Sequence, residues 1–207
     1  METSSRKNII LFAAAWIFFF ARYILDFYLA DLGEFASYAF ELAFVVVMGF
    51  FLRDQLNLKV DFSKKVWITL FLTLIAGYVV FKAAIYGGIL IPFEFDYLLT
   101  VFLLLVVAPI LEELLFRFVF MNANSKVIKN KFIVVLLSAL VFSLAHFNAL
   151  RYVPEIVRGF VIYQGLYTLV LGSVTAMVYY VMTERRILAA IGVHFLFNLG
   201  FFLASQY

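Results

Sequence analysis

Long apolar blocks are the feature of this sequence that most constrains its fold. Each of seven blocks approaches the roughly 20 consecutive apolar residues that a helix needs to cross the hydrocarbon core of a bilayer. The blocks are continuously apolar, whereas the strands of a membrane barrel alternate apolar and polar residues. The sequence therefore predicts an all-α, polytopic transmembrane helical bundle of about seven spans. The predicted spans are residues 9–29, 35–52, 66–91, 97–121, 132–147, 166–182 and 187–203.

Composition and loop charge agree with this fold class. Only 14% of the 207 residues are charged, against about a quarter in a soluble domain. Eleven of the sixteen Lys and Arg residues fall in loops on one predicted side and two on the other, which predicts an N-terminus inside and a C-terminus outside. Because orientation explains the net charge of +3, we expect no nucleic acid partner. The absence of Cys excludes disulfides and thiolate catalysis.

The segment 148–165 is the hardest to assign. Arg151, Pro154, Glu155 and Arg158 interrupt its apolar residues. The pattern fits either a helix that lies on the membrane surface or the beginning of a longer sixth span.

Charged side chains inside the predicted spans form two groups, and a charge at mid-bilayer costs roughly 2.5 to 3.5 kcal/mol. The first group is Arg22, Asp26, Glu41 and Lys82, with two charges of each sign. Arg22 and Asp26 are four residues apart and are expected to pair on one helix. Lys82 can extend its ammonium group outward. We interpret this group as structural pairing.

The second group lies deep in three separate spans and consists of residue types that are common in catalysis. Glu113 and Arg117 are four residues apart, so they share a helical face and are expected to form an ion pair. Glu112 lies about 100° further around the same helix and lacks a local partner. His194 and Asn198 repeat the four-residue spacing, so both can face one cavity.

The fifth span adds an imidazole to this second group. Phe142 and His146 are also four residues apart, which predicts an aromatic wall beside the imidazole. At a rise of about 1.5 Å per residue, the candidate side chains lie about 10 to 21 Å deep, so they can share one cavity. Pro109 lies three residues before Glu112 and is expected to weaken the helical bond to the carbonyl of Leu105.

These residue types can hydrolyse a peptide bond with an activated water molecule. A carboxyl group such as that of Glu112 can take a proton from water and pass it to a leaving group, and a histidine can share that work. An imidazole and an amide that face the same space can stabilise an oxyanion. Alternatively, Glu112, His146 and His194 could bind a divalent metal such as zinc, although no HExxH motif is present. The residues leave a metal-dependent and a metal-free mechanism open.

The three motifs together resemble those of the CPBP family, the CAAX proteases and bacteriocin-processing enzymes also called the Abi family. The resemblance rests on Glu112-Glu113-xxx-Arg117, Phe142-xxx-His146 and His194-xxx-Asn198, each in a hydrophobic span and in this order. It divides the chain into an N-terminal three-span membrane region, residues 1–96, and a catalytic four-helix membrane core, residues 97–207. Phe118 departs from the family pattern, since many members have a small residue there.

The resemblance implies an intramembrane endopeptidase similar to CAAX prenyl protease 2, described either as a metalloendopeptidase or as a glutamate protease. Glu112 would activate the water with help from His146, and His194 with Asn198 would form the oxyanion site. Glu113, Arg117 and Phe142 would support these residues.

The expected substrates are membrane-associated proteins or peptides, as in the maturation of a bacteriocin or signal peptide or in immunity. The expected location is the lipid bilayer of a bacterial plasma membrane, as a multi-pass protein. One alternative is a non-catalytic immunity or scaffold protein that binds a peptide partner. A proton-coupled transporter is a further alternative, but it predicts internal repeats that the sequence lacks.

Overall fold

The computed structural model describes residues 2–33, 35–60 and 63–207, with the side chains of residues 2–4 and 30 left out. Seven helices in this part of the chain are long and apolar enough to cross a membrane, which confirms the predicted fold class. The helices are α1 (Glu2–Asp31), α2 (Ala36–Leu52), α3 (Lys64–Tyr86), α4 (Leu98–Ser125), α5 (Lys131–Phe147), α6 (Glu155–Met182) and α7 (Ile187–Ser205).

Helix α3 ends at Tyr86, five residues before the predicted end of the third span. Gly88 adopts a left-handed conformation with φ +70°, which a glycine tolerates without steric cost. The N–H of Ile89 then donates to the carbonyl of Ala84 at 2.9 Å, which closes the helix C-terminus. The apolar residues that follow belong to the connection to α4.

The segment 148–165 contributes a turn and the beginning of the sixth helix. A 3₁₀ turn covers Asn148–Arg151, and α6 begins at Glu155, eleven residues before the predicted start of that span. Pro154 precedes the helix with φ −56° and ψ 150°, and its ring fixes that φ. Of the two alternatives, the longer sixth span is the one that forms.

Helices α3 and α7 pack with their backbones in direct contact. A Cβ atom added at Gly77 of α3 would overlap the carbonyl of Phe197 in α7, and one added at Gly200 of α7 would overlap the carbonyl of Leu74 in α3. Two glycines therefore allow an approach that any side chain would prevent. This contact fixes α7, which carries His194 and Asn198.

Helices α5 and α6 form the second close pair. A Cβ atom at Gly172 would lie 3.3 Å from the Cα atom of Ala139 and 2.9 Å from the ring of Phe142. The hydroxyl of Ser143 donates to the carbonyl of Gly165 at 2.6 Å. This packing sets the position of the α5 face that carries His146.

The second half of helix α4 is buried within the bundle. All residues from 115 to 121 are buried, and this part of α4 is a π-helix from Leu114 to Met121. Phe118, the departure from the family pattern, is 3% exposed, and its ring lies 3.6 Å from the Cβ position of Gly49 in α2. A glycine in α2 thus provides space for the larger residue.

Candidate active site

One cavity inside the bundle joins the candidate residues of three helices. It has a volume of about 450 Å³, within the range of small-ligand sites. Glu112 of α4, His146 of α5, and His194 and Asn198 of α7 all line it. The four residues that the sequence assigns to one cavity are therefore brought together, as the spacing and depth predict.

The predicted ion pair between Glu113 and Arg117 forms and is completely buried. Nε of Arg117 donates to Oε2 of Glu113 at 2.9 Å, and both side chains are 0% exposed. The guanidinium also donates to the hydroxyls of Ser138 at 2.7 Å and Thr175 at 2.6 Å. Arg117 therefore ties α4 to α5 and α6 one helical turn after Glu113.

Glu113 has a second partner that the sequence does not reveal. Its other oxygen, Oε1, lies 3.0 Å from Nδ1 of His194. Because an ionised carboxylate only accepts hydrogen bonds, Nδ1 is the donor. Nε2 of the same ring lies 3.9 Å from Oε2 of Glu112. Glu113 thus orients His194 so that its second nitrogen points toward Glu112.

His146 is oriented by its own helix. Its Nδ1 lies 2.9 Å from the carbonyl oxygen of Phe142, and a carbonyl can only accept, so Nδ1 carries the hydrogen. In the neutral ring Nε2 is then an acceptor. The Phe142 ring lies 4.8 Å from the His146 ring and 5.8 Å from the His194 ring, both in edge-on geometry. The predicted aromatic wall therefore supports both imidazoles.

Asn198 is held by a backbone carbonyl that Pro109 leaves without a helical partner. Upstream of the proline, α4 has a π-helical turn in which Ala108 donates its N–H to Leu103, five residues earlier. The next residue is Pro109, which has no N–H, so the carbonyl of Leu104 accepts from Nδ2 of Asn198 at 2.8 Å. The sequence predicts that Pro109 weakens the helical bond to the carbonyl of Leu105. Because of the π-helical turn, the carbonyl that lacks a helical partner is that of Leu104.

The arrangement does not form a three-ligand metal site. Within the described part of the chain, no three His, Asp or Glu side chains are placed so that they could hold a metal ion. Both imidazoles are held through Nδ1, by Glu113 in His194 and by a backbone carbonyl in His146, so Nε2 of each ring is the nitrogen left to a ligand. Because the described residues contain no group of three such ligands, the arrangement does not fit a zinc site.

Three residues of the first charged group, all except Lys82, also line this cavity, and the pairing of Arg22 differs from the prediction. Arg22 donates from Nε to Oε1 of Glu41 at 2.5 Å, so its partner lies on α2 and not four residues along α1. Arg22, Asp26 and Glu41 all line the cavity with Glu112. The interpretation of this group as structural pairing holds for Arg22 and Glu41, but it misses their place in the cavity wall.

Asp26 forms a separate cluster in the cavity wall. Its Oδ2 accepts from Nδ2 of Asn148 at 2.8 Å and from the hydroxyl of Tyr152 at 3.2 Å. Partial burial and the nearby Asp26 carboxylate raise the pKa of Tyr152 to about 12, so its hydroxyl remains a donor. This cluster connects α1 to the turn between α5 and α6.

Sequence reasoning misses the two residues whose hydroxyls bind the Arg117 guanidinium, Ser138 and Thr175. Small hydroxyl residues are frequent in membrane helices, so each alone is a weak signal. A signal for Ser138 exists, however, because it lies four residues before Phe142 and eight before His146, on one helical face. No comparable spacing marks Thr175.

The part of the chain that carries these cavity residues matches a known protein family. A family model described as Type II CAAX prenyl endopeptidase Rce1-like matches residues 94–200. The matched part begins before α4 and ends within α7. It therefore contains Glu112, His146, His194 and Asn198. Neither a curated protein nor a solved structure matches the chain.

Proposed function

The chain belongs to the Rce1-like family of type II CAAX prenyl endopeptidases, and from this premise we propose that it cleaves peptide bonds with a water molecule activated by Glu112. The family identifies it as a membrane protease, and its seven apolar helices make it a multi-pass integral membrane protein. The observation that carries the proposal is the single cavity lined by Glu112, His146, His194 and Asn198.

In the proposed reaction the Glu112 carboxylate takes a proton from water, and the oxygen attacks the carbonyl carbon of the scissile bond. His146 assists, since Nε2 of its neutral ring accepts hydrogen bonds. The resulting tetrahedral intermediate loses its amine when the C–N bond breaks. The proton held by Glu112 then passes to the leaving nitrogen, and the products are a new carboxyl group and a new amine.

His194 and Asn198 are proposed to stabilise the oxyanion of that intermediate. The amide of Asn198 has two N–H groups, and the Leu104 carbonyl uses one of them. When His194 carries a proton on both nitrogens, Nε2 donates toward the cavity while Nδ1 remains on Glu113. Glu113 and Arg117 act as positioning residues for this donor, and Phe142 packs against both imidazoles.

The substrate is proposed to be a membrane-associated protein or peptide, because the cavity lies among membrane-spanning helices. Maturation of a bacteriocin or signal peptide and a role in immunity stay predictions. Three other expectations also stay predictions: that the N-terminus lies inside, that the membrane is a bacterial plasma membrane, and that the chain divides between residues 96 and 97.

The decisive experiment compares cells that express the wild-type protein with cells that express Glu112→Gln at equal membrane abundance. Mass spectrometry of newly formed peptide termini is the readout. Glu155→Gln is the matched control, because it makes the same chemical change at an exposed residue outside the cavity. We expect termini that appear with wild type and Glu155→Gln and disappear with Glu112→Gln.

If the termini of wild-type and Glu112→Gln cells were the same, the catalytic role of Glu112 would be wrong. A non-catalytic immunity or scaffold protein that binds a peptide would then be the better explanation.

A further inference from the structure

Arg22 occupies an unusual position in the cavity wall. It lies on α1, outside the part of the chain that matches the family, and it lines the same cavity as Glu112 and His146. It also lines a smaller neighbouring cavity of about 320 Å³ whose walls are mainly apolar and aromatic. Arg22 thus belongs to the walls of both cavities.

The hydrogen bonding of Arg22 leaves two of its three guanidinium nitrogens open. Nε donates to Glu41, but Nη1 and Nη2 have no hydrogen-bond partner among the described residues. Every fully buried side-chain nitrogen and oxygen in that part of the chain has such a partner. Nη1 and Nη2 are therefore accessible, although the side chain as a whole is only 18% exposed.

The position of Glu41 favours this arrangement. Its carboxylate is 7% exposed and binds Nε, so it neutralises the arginine and fixes the direction of the guanidinium without covering its end. Asp26, the nearest other carboxylate on α1, is bonded to Asn148 and Tyr152. The open end of Arg22 therefore remains available to a ligand.

The chemistry of that ligand follows from the guanidinium. Its two terminal nitrogens present parallel N–H groups that match the two oxygens of a carboxylate. Because water is scarce inside a bundle of apolar helices, such a charge-assisted pair is stronger there than at a protein surface. Phosphate has the same geometry, but an unmodified peptide substrate carries carboxylates and no phosphate, so a carboxylate is the ligand that we expect at this position.

We propose that Arg22 is a carboxylate-binding subsite that determines which peptides the cavity accepts. The proposal rests on the proposed peptidase function. The carboxylate comes either from the C-terminus of the substrate or from an acidic side chain, and both would present the same two oxygens. Arg22 would bind the substrate and would not take part in the chemistry at Glu112.

The test uses the purified full-length protein in lipid nanodiscs and three forms of one synthetic peptide library. The first form has a free C-terminal carboxylate and no acidic side chains. The second has a C-terminal amide and acidic side chains, and the third has neither. Cleavage of each form is quantified by mass spectrometry for wild type, Arg22→Gln, Arg22→Lys and Glu41→Gln, with Glu112→Gln as the inactive reference.

We expect wild type to cleave one carboxylate-bearing form about 10- to 100-fold faster than the form with neither group, since hydrogen bonds to charged groups have this strength. The preferred form identifies the source of the carboxylate. Arg22→Gln is expected to abolish the preference but to keep the slow cleavage of the third form. Arg22→Lys is expected to restore part of the preference.

Glu41→Gln separates the subsite from a merely structural pair. It removes the charge of Glu41 but keeps an oxygen that can accept from Nε of Arg22, so the guanidinium should stay in place and the preference should persist. The proposal is overturned if wild type cleaves all three forms equally, or if Glu41→Gln loses the preference as completely as Arg22→Gln does. If Glu112→Gln cleaves as well as wild type, the peptidase function itself fails and this proposal fails with it.

Discussion

Replacing Arg117 with methionine is expected to destabilise the protein by about 3 to 5 kcal/mol, because the substitution leaves the Glu113 carboxylate buried without its cation. Methionine has a similar length and no charge. Arg117 and Glu113 are both 0% exposed, so water cannot compensate for the loss. The exposed Arg158 provides the matched control, since Arg158→Met is expected to change stability by less than about 0.5 kcal/mol.

A double-mutant cycle isolates the contribution of the charge. Glu113→Gln alone leaves the guanidinium buried without a counter-ion, whereas the double variant Arg117→Met with Glu113→Gln removes both charges. The double variant is therefore expected to lose about 1 to 3 kcal/mol less than the two single losses added together. Activity should not return with stability, because Nδ1 of His194 needs the Glu113 carboxylate at 3.0 Å.

The assay is equilibrium unfolding by titration with SDS in mixed micelles, with peptide cleavage measured on the same preparations. Strictly additive losses in the double variant would refute the reasoning, because charge compensation would then contribute nothing. Recovery of full activity in the double variant would refute the second part, the orienting role of Glu113.

Two further predictions concern helix packing and the metal question. Gly200→Ala is expected to cost about 1 to 3 kcal/mol and to lower cleavage, because its new Cβ atom overlaps the Leu74 carbonyl and displaces α7. Gly159→Ala, where the Cβ atom meets nothing within 4 Å, is expected to be neutral or slightly stabilising, and equal behaviour of the two variants in unfolding and cleavage assays would contradict this. Dialysis against a strong chelator, with the metal content checked by mass spectrometry, is expected to leave cleavage intact because the cavity lacks a three-ligand set. Loss of cleavage that zinc restores would show the opposite.

Relations within one helix could be predicted from the sequence. The spacing of Glu113 and Arg117 defines their ion pair, and the spacing of Phe142 and His146 defines the ring contact, because a helix fixes the geometry of residues four apart. The number of spans follows from the apolar blocks for a similar reason, since bilayer thickness sets the length of each helix.

Relations between helices could not be predicted in the same way. Arg22 has a carboxylate four residues along its own helix, but it pairs with Glu41, because the packing of α2 against α1 brings that carboxylate closer. Nothing in the spacing of α4 indicates that Glu113 would also bind His194. These partners depend on how the helices are arranged, and the spacing of residues along one helix does not give that arrangement.

The interruption of helical hydrogen bonding near Pro109 could be predicted only in part. Pro109 correctly indicates that a carbonyl is freed in α4, because the residue lacks an N–H. The choice of Leu104 depends on the π-helical turn before the proline, and a π-helical turn has no reliable sequence signal. The start of α6 at Glu155 is similar, because charged residues at a membrane boundary fit a surface helix equally well.

The glycine contact between α3 and α7 limits how far this protein can be recombined with its relatives. Gly77 and Gly200 each face a backbone carbonyl, and a backbone atom cannot be made smaller by mutation in the partner helix. A chimera that joins residues 94–207 to the first three helices of another family member would therefore need a small residue at the position equivalent to Gly77. Helix α3 lies outside the matched family segment. Its residue at position 77 is nevertheless constrained by α7, the helix that carries Asn198, because the two backbones are in contact there.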